Sequence, residues 1–192
     1  IPPEQIIAPV EDLGKKADLR VIGVDWGFRN PTGIIVCYRF DKAWYIVDEW
    51  KKAEKTPIEA RQVIKNKLKD HHAERVYPDP ARPDLNEECS RDHIPVFESN
   101  NDVILGISYI RELIYQKRFF VYRTCAEFLD ELSMYHWVEE RQEKHDKKDV
   151  PEKVNDHLCD AMRYALYSVG DQKSIIGEAT KPLQQYYPEL GI

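Results

Sequence analysis

Leu19-Arg20-Val21-Ile22-Gly23-Val24-Asp25-Trp26-Gly27 decides how the chain begins to fold: a nearly unbroken apolar run, then a carboxylate, then a break. A run this short and this continuous reads as a strand covered on both faces, with Asp25 at its end. Outward from it, Asn30-Pro31-Thr32-Gly33 is a turn signal and Ile34 to Phe40 a second strand. Asp41-Lys42 turns the chain again, and Trp44 to Trp50 is a third strand. Short connections of this kind make an antiparallel three-strand meander.

Further along, Pro57 opens an amphipathic helix to about Leu68, with Ile58, Ala60, Val63 and Ile64 on its apolar side. Arg75 to Pro78 is a short strand ending at Asp79, Pro83 to Arg91 a helix, and Pro95 to Glu98 a strand. Val103, Ile104, Ile107, Ile110, Leu113 and Ile114 repeat with helical period, Phe119 to Tyr122 is a strand, and Thr124 to Met134 a helix. The charge-dense stretch from Val138 to Lys153 has no apolar period and reads as a solvated loop or hairpin tip. Asn155 caps a last helix to about Val169, which Gly170 terminates. The order predicts an α/β fold: a mixed β-sheet, the antiparallel meander plus parallel strands, with helices on both faces. Residues 1–18, rich in Pro, Lys, Asp and Glu, are expected to be a linker from a preceding domain, 19–170 the domain itself, and 171–192 a polar C-terminal tail.

With 192 residues, 42% of them hydrophobic, the chain is long enough for one real core, which excludes collagen-like and wholly disordered classes. No apolar stretch approaches the roughly 20 residues that span a bilayer, so no membrane partner is expected. Lys+Arg 28 against Asp+Glu 34 gives a net charge of -6, so a nucleic-acid partner would have to be held locally. Cys37, Cys89, Cys125 and Cys159 form no C-x-x-C pair, and the expectation is reduced, buried thiols in a cytosolic protein. Ile1-Pro2-Pro3-Glu4 is neither a signal peptide nor an initiating methionine, so the chain is expected to begin partway through a longer protein.

Two carboxylates, Asp25 and Asp79, follow strand ends, while Asp156, His157 and Asp160 crowd the start of the last helix. Gathered together, such anions repel unless a cation neutralises them, and carboxylate oxygens suit hard ions such as Mg²⁺ or Mn²⁺. Each has a plainer reading too. Asp79 shapes a Pro-rich turn, and Asp156 complements a helix N-terminus. The helix's main apolar face, Leu158, Met162, Ala165 and Val169, is rotated about a quarter turn from the His157/Asp160 side. Whether Asp160 faces the sheet is therefore open.

Val21-Ile22-Gly23-Val24-Asp25-Trp26-Gly27, Tyr77-Pro78-Asp79-Pro80 and above all Asn155-Asp156-His157-Leu158-Cys159-Asp160-Ala161-Met162-Arg163-Tyr164-Ala165-Leu166 resemble the nuclease domain of the large terminase subunit of tailed bacteriophages. The resemblance runs over about residues 19–170 and implies a ribonuclease-H-like fold. It implies that Asp25, Asp79 and Asp160 are catalytic metal ligands, that His157 also serves the metals, and that Asp156 is an additional metal ligand, directly or from behind the others. The second acid is often Glu in that family, and here it is the shorter Asp79. The implied reaction is in-line hydrolysis of DNA phosphodiesters by two Mg²⁺ or Mn²⁺ ions about 3.5 to 4 Å apart, bridged by Asp25, leaving a 3′-hydroxyl and a 5′-phosphate. Its biological setting would be the cutting of concatemeric viral DNA during packaging, at the procapsid in the host cytoplasm.

Implied partners are double-stranded DNA and, in the full-length protein, an N-terminal ATPase domain, the portal and the small terminase subunit. No G-x-x-x-x-G-K-[ST] segment occurs, so ATPase activity is not expected of this chain. Candidate DNA contacts are Arg29, Arg82, Lys51, Lys52 and Lys55, with Arg141, Lys144, Lys147 and Lys148 in the charged stretch, although singly each is an ordinary surface charge. Two alternatives stand beside the terminase reading: another ribonuclease-H-like nuclease such as a junction resolvase, and a non-catalytic DNA- or portal-binding domain. A sugar-kinase-like or actin-like ATPase, which also starts with a strand ending in Asp and Gly, needs two domains and a phosphate-binding repeat absent here.

Overall fold

A computed structural model describes residues 1–134 and 156–169. The described strands are β1 (Ile6–Ile7), β2 (Leu19–Asp25), β3 (Thr32–Phe40), β4 (Ala43–Lys52), β5 (Arg75–Pro78) and β6 (Phe119–Tyr122). The helices are α1 (Leu13–Lys16), α2 (Pro57–His71), α3 (Pro83–Arg91), α4 (Val103–Tyr115), α5 (Ala126–Met134) and α6 (His157–Val169), and a 3₁₀ turn covers Pro3–Gln5. The strands form one six-stranded sheet in the order β1-β6-β4-β3-β2-β5. Within it β2-β3 and β3-β4 are antiparallel, and β1-β6, β4-β6 and β2-β5 are parallel. This is the mixed sheet that the apolar runs predict. Asp41 and Lys42, at φ 49 and 61, make the two-residue β3-β4 connection in the left-handed region that a tight hairpin needs.

Alternation along β2 separates the two faces of the sheet. Gly23 lies directly under α6, whereas the Arg20 guanidinium, three residues away, donates to the carbonyls of Gly14 in α1 and His72 at the end of α2. Helices therefore cover both faces, and Val21, Ile22, Val24, Ile34, Ile35 and Val36 are fully buried between them. On the α2 side, Arg61 pairs with Asp92 at 3.0 Å and with Glu88, which fixes α3 beside α2. The α2 N-terminus is a capping box in which Thr56 and Glu59 satisfy each other's backbone amides. All four cysteines are free and buried.

Two elements differ from the sequence reading. The stretch 1–18, expected as a linker, adds an edge strand: Ile6 and Ile7 pair with Val121 and Tyr122, while Gln5, Leu13 and Ala17 are buried. A two-residue strand between Gln5 and Ala8 has too little periodicity to be seen. Pro95–Glu98, expected as a strand, makes only the bridge Val76–Val96, since Pro95 has no N–H to donate and a ladder cannot extend through it. The Asn155 cap, the Gly170 terminator, the stretch 138–153 and the tail 171–192 lie outside the described residues.

Candidate active site

The parallel register of β2 and β5 brings the first two carboxylates together. Val24 pairs with Pro78, and the next residues along the chain are Asp25, the last of β2, and Asp79, just past β5. Asp79 is locked there: its N–H donates to the Val24 carbonyl at 2.8 Å, its Oδ1 accepts from Ala81 N at 2.8 Å, and its carbonyl accepts from Asn86 Nδ2 at 2.9 Å. The turn role and the cavity-lining position thus coexist in one residue.

Glycine admits the third carboxylate. A Cβ on Gly23 would stand 1.9 Å from the Ala161 carbonyl oxygen, and one on Gly33 2.7 Å from that of His157, so α6 rests on bare backbone at both points. The orientation left open by periodicity resolves because α6 is buried nearly all round, Arg163 and Tyr164 included. Asp160 and His157 face the strand ends.

Asp25, Asp79, Asp156, His157 and Asp160 line one cavity of about 750 Å³, together with Arg29, Arg82 and Tyr164. Asp25 Oδ2 accepts from His157 Nδ1 at 2.8 Å, and Asp160 Oδ1 accepts from Arg163 Nη2 at 2.9 Å and Nε at 3.2 Å. Each of Asp25, Asp79 and Asp160 thus has one oxygen tethered by a described protein donor and the other without one. Oxygen-only donors held in this way fit a hard divalent cation. Among the described residues, no three of His, Cys, Asp and Glu stand closely enough to close on one ion. Carboxylates crowded in this way repel one another, a cost that a bound cation would offset.

The electrostatics carry the mark of that crowding. Burial, with the charges of Asp160 and Asp79, raises the Asp25 carboxyl from 3.8 to about 6, although the His157 hydrogen bond pulls the other way. His157 is raised in turn, chiefly by its bond to Asp25. The Tyr164 hydroxyl is pushed up by burial and then by the charges of Asp160, Asp79 and Asp25. Because the folded chain holds the Asp25 proton more tightly than the unfolded one, its contribution to stability is full below about pH 4 and is lost as pH rises through about 6. The raised His157 acts with the same sign at higher pH. In EDTA, the melting temperature of the wild type relative to Asp25→Asn is therefore expected to fall between pH 4 and 7, and a flat difference in calorimetry would contradict it.

The basic candidates separate. Arg29 is exposed at the cavity and forms no ion pair with a described residue, and Lys52 is also exposed. Arg82 is held in a two-point pair by Asp84, and Lys55 is held by Glu59. Lys51 is held by its own partner: its ammonium sits 3.0 Å from the buried Glu131. Arg141, Lys144, Lys147 and Lys148 lie outside the described residues. Arg163, 3% exposed and the tether of Asp160, escapes the sequence reading, although its i,i+3 spacing from Asp160 is the signal for such a pair.

A family model described as "Terminase RNaseH-like domain" matches residues 22–168. The large terminase subunit of Escherichia phage T5 is 27% identical over 157 residues, covering 80% of this chain and 36% of that protein. The chain spans about a third of the length of the curated relatives it matches. The structure of the large terminase from a thermophilic bacteriophage superposes with a TM-score of 0.74 at 26% identity, over 85% of this chain and 42% of that one. The nuclease domain of the bacteriophage SPP1 large terminase, solved with bound Mn, shares the fold, with a TM-score of 0.66 at 16% identity, over 87% of this chain and 98% of that one.

Proposed function

Because the chain belongs to the terminase RNaseH-like domain family, we propose that it is the nuclease part of a large terminase subunit, a divalent-metal-dependent endodeoxyribonuclease that cuts concatemeric viral DNA during genome packaging. The observation that carries this reading is the convergence of Asp25, Asp79 and Asp160, from two strand ends and a helix, on one cavity. Asp25, reached by the charges of both Asp160 and Asp79, would hold the ions together with those two acids. Two Mg²⁺ or Mn²⁺ ions bound there would supply positive charge for the attacking water and for the leaving oxygen of an in-line displacement.

The chain's own groups do the holding. Asp79 is fixed by its turn and Asp160 by Arg163, so each presents one carboxylate oxygen at a set place. His157 keeps Asp25 oriented by donating from Nδ1. Arg29 at the cavity mouth and Arg82, part-neutralised by Asp84, offer positive charge to phosphates on a chain of net charge -6. Among the described residues no Ser, Thr or Cys lines the cavity, and burial and the neighbouring carboxylates hold the Tyr164 hydroxyl there in its protonated form, so water is the nucleophile that fits. The motor, portal and small-subunit partners, and action at the procapsid in the host cytoplasm, follow from the family reading of the full-length protein.

Supercoiled plasmid is expected to be nicked and linearised in Mn²⁺ or Mg²⁺ and left intact in EDTA. Linear duplex should be cut no less well than a four-way junction. Strong preference for the junction would move the assignment to a resolvase, and no cutting in either ion would leave a binding domain.

A further inference from the structure

Glu131, on α5, is the most deeply buried carboxylate among the described residues, at 1% exposed, and lies outside the cavity. Its Oε2 accepts from the backbone N–H groups of Leu158 at 2.7 Å and Cys159 at 3.1 Å, and its Oε1 accepts from Lys51 Nζ at 3.0 Å. Those two amides belong to the first turn of α6, where a helix leaves its N–H groups without internal partners, and where its dipole favours a negative charge. They lie between His157 and Asp160 in sequence.

The sheet beneath explains the arrangement. Asp25 pairs with Gly33, and Gly33 with Lys51, so the three form one row across β2, β3 and β4 on one face. The start of α6 crosses that row over Gly33. On one side His157 bonds Asp25; on the other, the Leu158 and Cys159 amides bond the Glu131-Lys51 pair. Glu131 is itself held, because Glu49 of β4 accepts from the N–H groups of Glu127 at 2.9 Å and Phe128 at 2.7 Å and so caps α5. Support runs from β4 through α5 to the first turn of α6.

We infer that Glu131, paired with Lys51, is a positioning residue: it fixes the first turn of α6 and thereby sets where His157 and Asp160 stand relative to Asp25 when a divalent cation is taken up. This rests on the metal-dependent nuclease reading above. It also moves Lys51 from the DNA surface to the scaffold of the acidic site.

The test uses the 192-residue chain, with Mn²⁺ alone as the probe of the site. In the metal-free protein, Glu131→Ala is expected to cost the Leu158 and Cys159 amides about tenfold in hydrogen-exchange protection. Mn²⁺ affinity, read by electron paramagnetic resonance, should fall by about 10- to 100-fold, the range for residues that orient ligands. Plasmid cleavage should fall with it while KM for DNA holds. The double variant Glu131→Gln/Lys51→Met restores an acceptor without stranding a lysine and should recover most of the Mn²⁺ affinity. Should Glu131→Ala not fold, Glu131→Met/Lys51→Met, which keeps the volume and offers the amides no oxygen, carries the same comparison.

Lost amide protection with unchanged Mn²⁺ affinity would reduce Glu131 to a fold residue and overturn the inference. So would unchanged protection, or a Lys51→Met variant that raises KM for DNA and leaves Mn²⁺ uptake alone. A wild type that takes up no Mn²⁺ and cuts nothing would bring down the nuclease reading, and this inference with it.

Discussion

Asp25→Asn is expected to lower plasmid cleavage about a thousandfold in Mn²⁺, equivalent to roughly 4 kcal/mol of lost transition-state stabilisation, and to raise the melting temperature in EDTA at pH 8. The two effects have one cause. Asp25 is 14% exposed at the side chain and sits among Asp79, Asp160 and a burying helix, so its carboxyl is held up at about 6. Ionising it in the cation-free fold opposes stability by about 2 to 3 kcal/mol on that shift, and a neutral isostere removes the penalty. For a domain of this size that is a gain of about 4 to 12 °C. Asp160→Ala separates the effects: cutting is again lost, but stability falls, because Arg163 is 3% exposed and would lose the carboxylate that pairs it. Paired assays of nicking and calorimetry on both variants check this. If Asp25→Asn cuts at wild-type rate, or both variants shift stability in the same direction, the carboxylates are not what the cavity was built around.

Much of this site is legible in the sequence because it depends on strand ends. Asp25 and Asp79 each follow an apolar run, and a parallel register then has little choice but to set them side by side. Asp160 is not legible by the same route. Amphipathic period assigns a helix one wet side, and α6 has almost none, since Leu158 to Tyr167 is buried apart from Asp160. What orients the helix is the absence of side chains at Gly23 and Gly33, a property of the strands and not of the helix. The Asn155–Leu166 resemblance supplied what period did not.

Glu131 illustrates a different limit. Its spacing from Phe128 puts it on the buried side of α5, but a glutamate there reads as an exception to an apolar stripe until the amides of a helix that starts 26 positions away are seen beside it. The Lys51 ion pair is hidden for the same reason: its partner is distant in sequence, and a lysine after a strand reads as surface. The edge strand at Ile6 and Ile7 is invisible because two residues carry no period.

Gly23→Ala is expected to be the most damaging single-methyl change in the described chain. The added Cβ would meet the Ala161 carbonyl oxygen at 1.9 Å, its carbon at 2.7 Å and the Ala165 Cβ at 3.1 Å. The nearest two are backbone atoms in the middle of a buried helix, so no rotamer relieves the clash, and α6 must lift from β2. Overpacking of this kind costs about 3 kcal/mol or more, a fall of roughly 6 to 12 °C in melting temperature. The lift also carries Asp160 away from Asp25 and Asp79, so cleavage should collapse even well below the melting transition, where the chain is folded. Gly14→Ala is the matched control: its Cβ meets only the edge of the Tyr38 ring at 3.3 Å, and the gain in helix propensity offsets the squeeze, so its stability should stay within about 1 kcal/mol of wild type. Were Gly23→Ala to melt and cut like Gly14→Ala, α6 would not rest on β2 as described. The placement of Asp160 beside Asp25 would fail with it, since the close approach at Gly23 is what brings the helix to the strand.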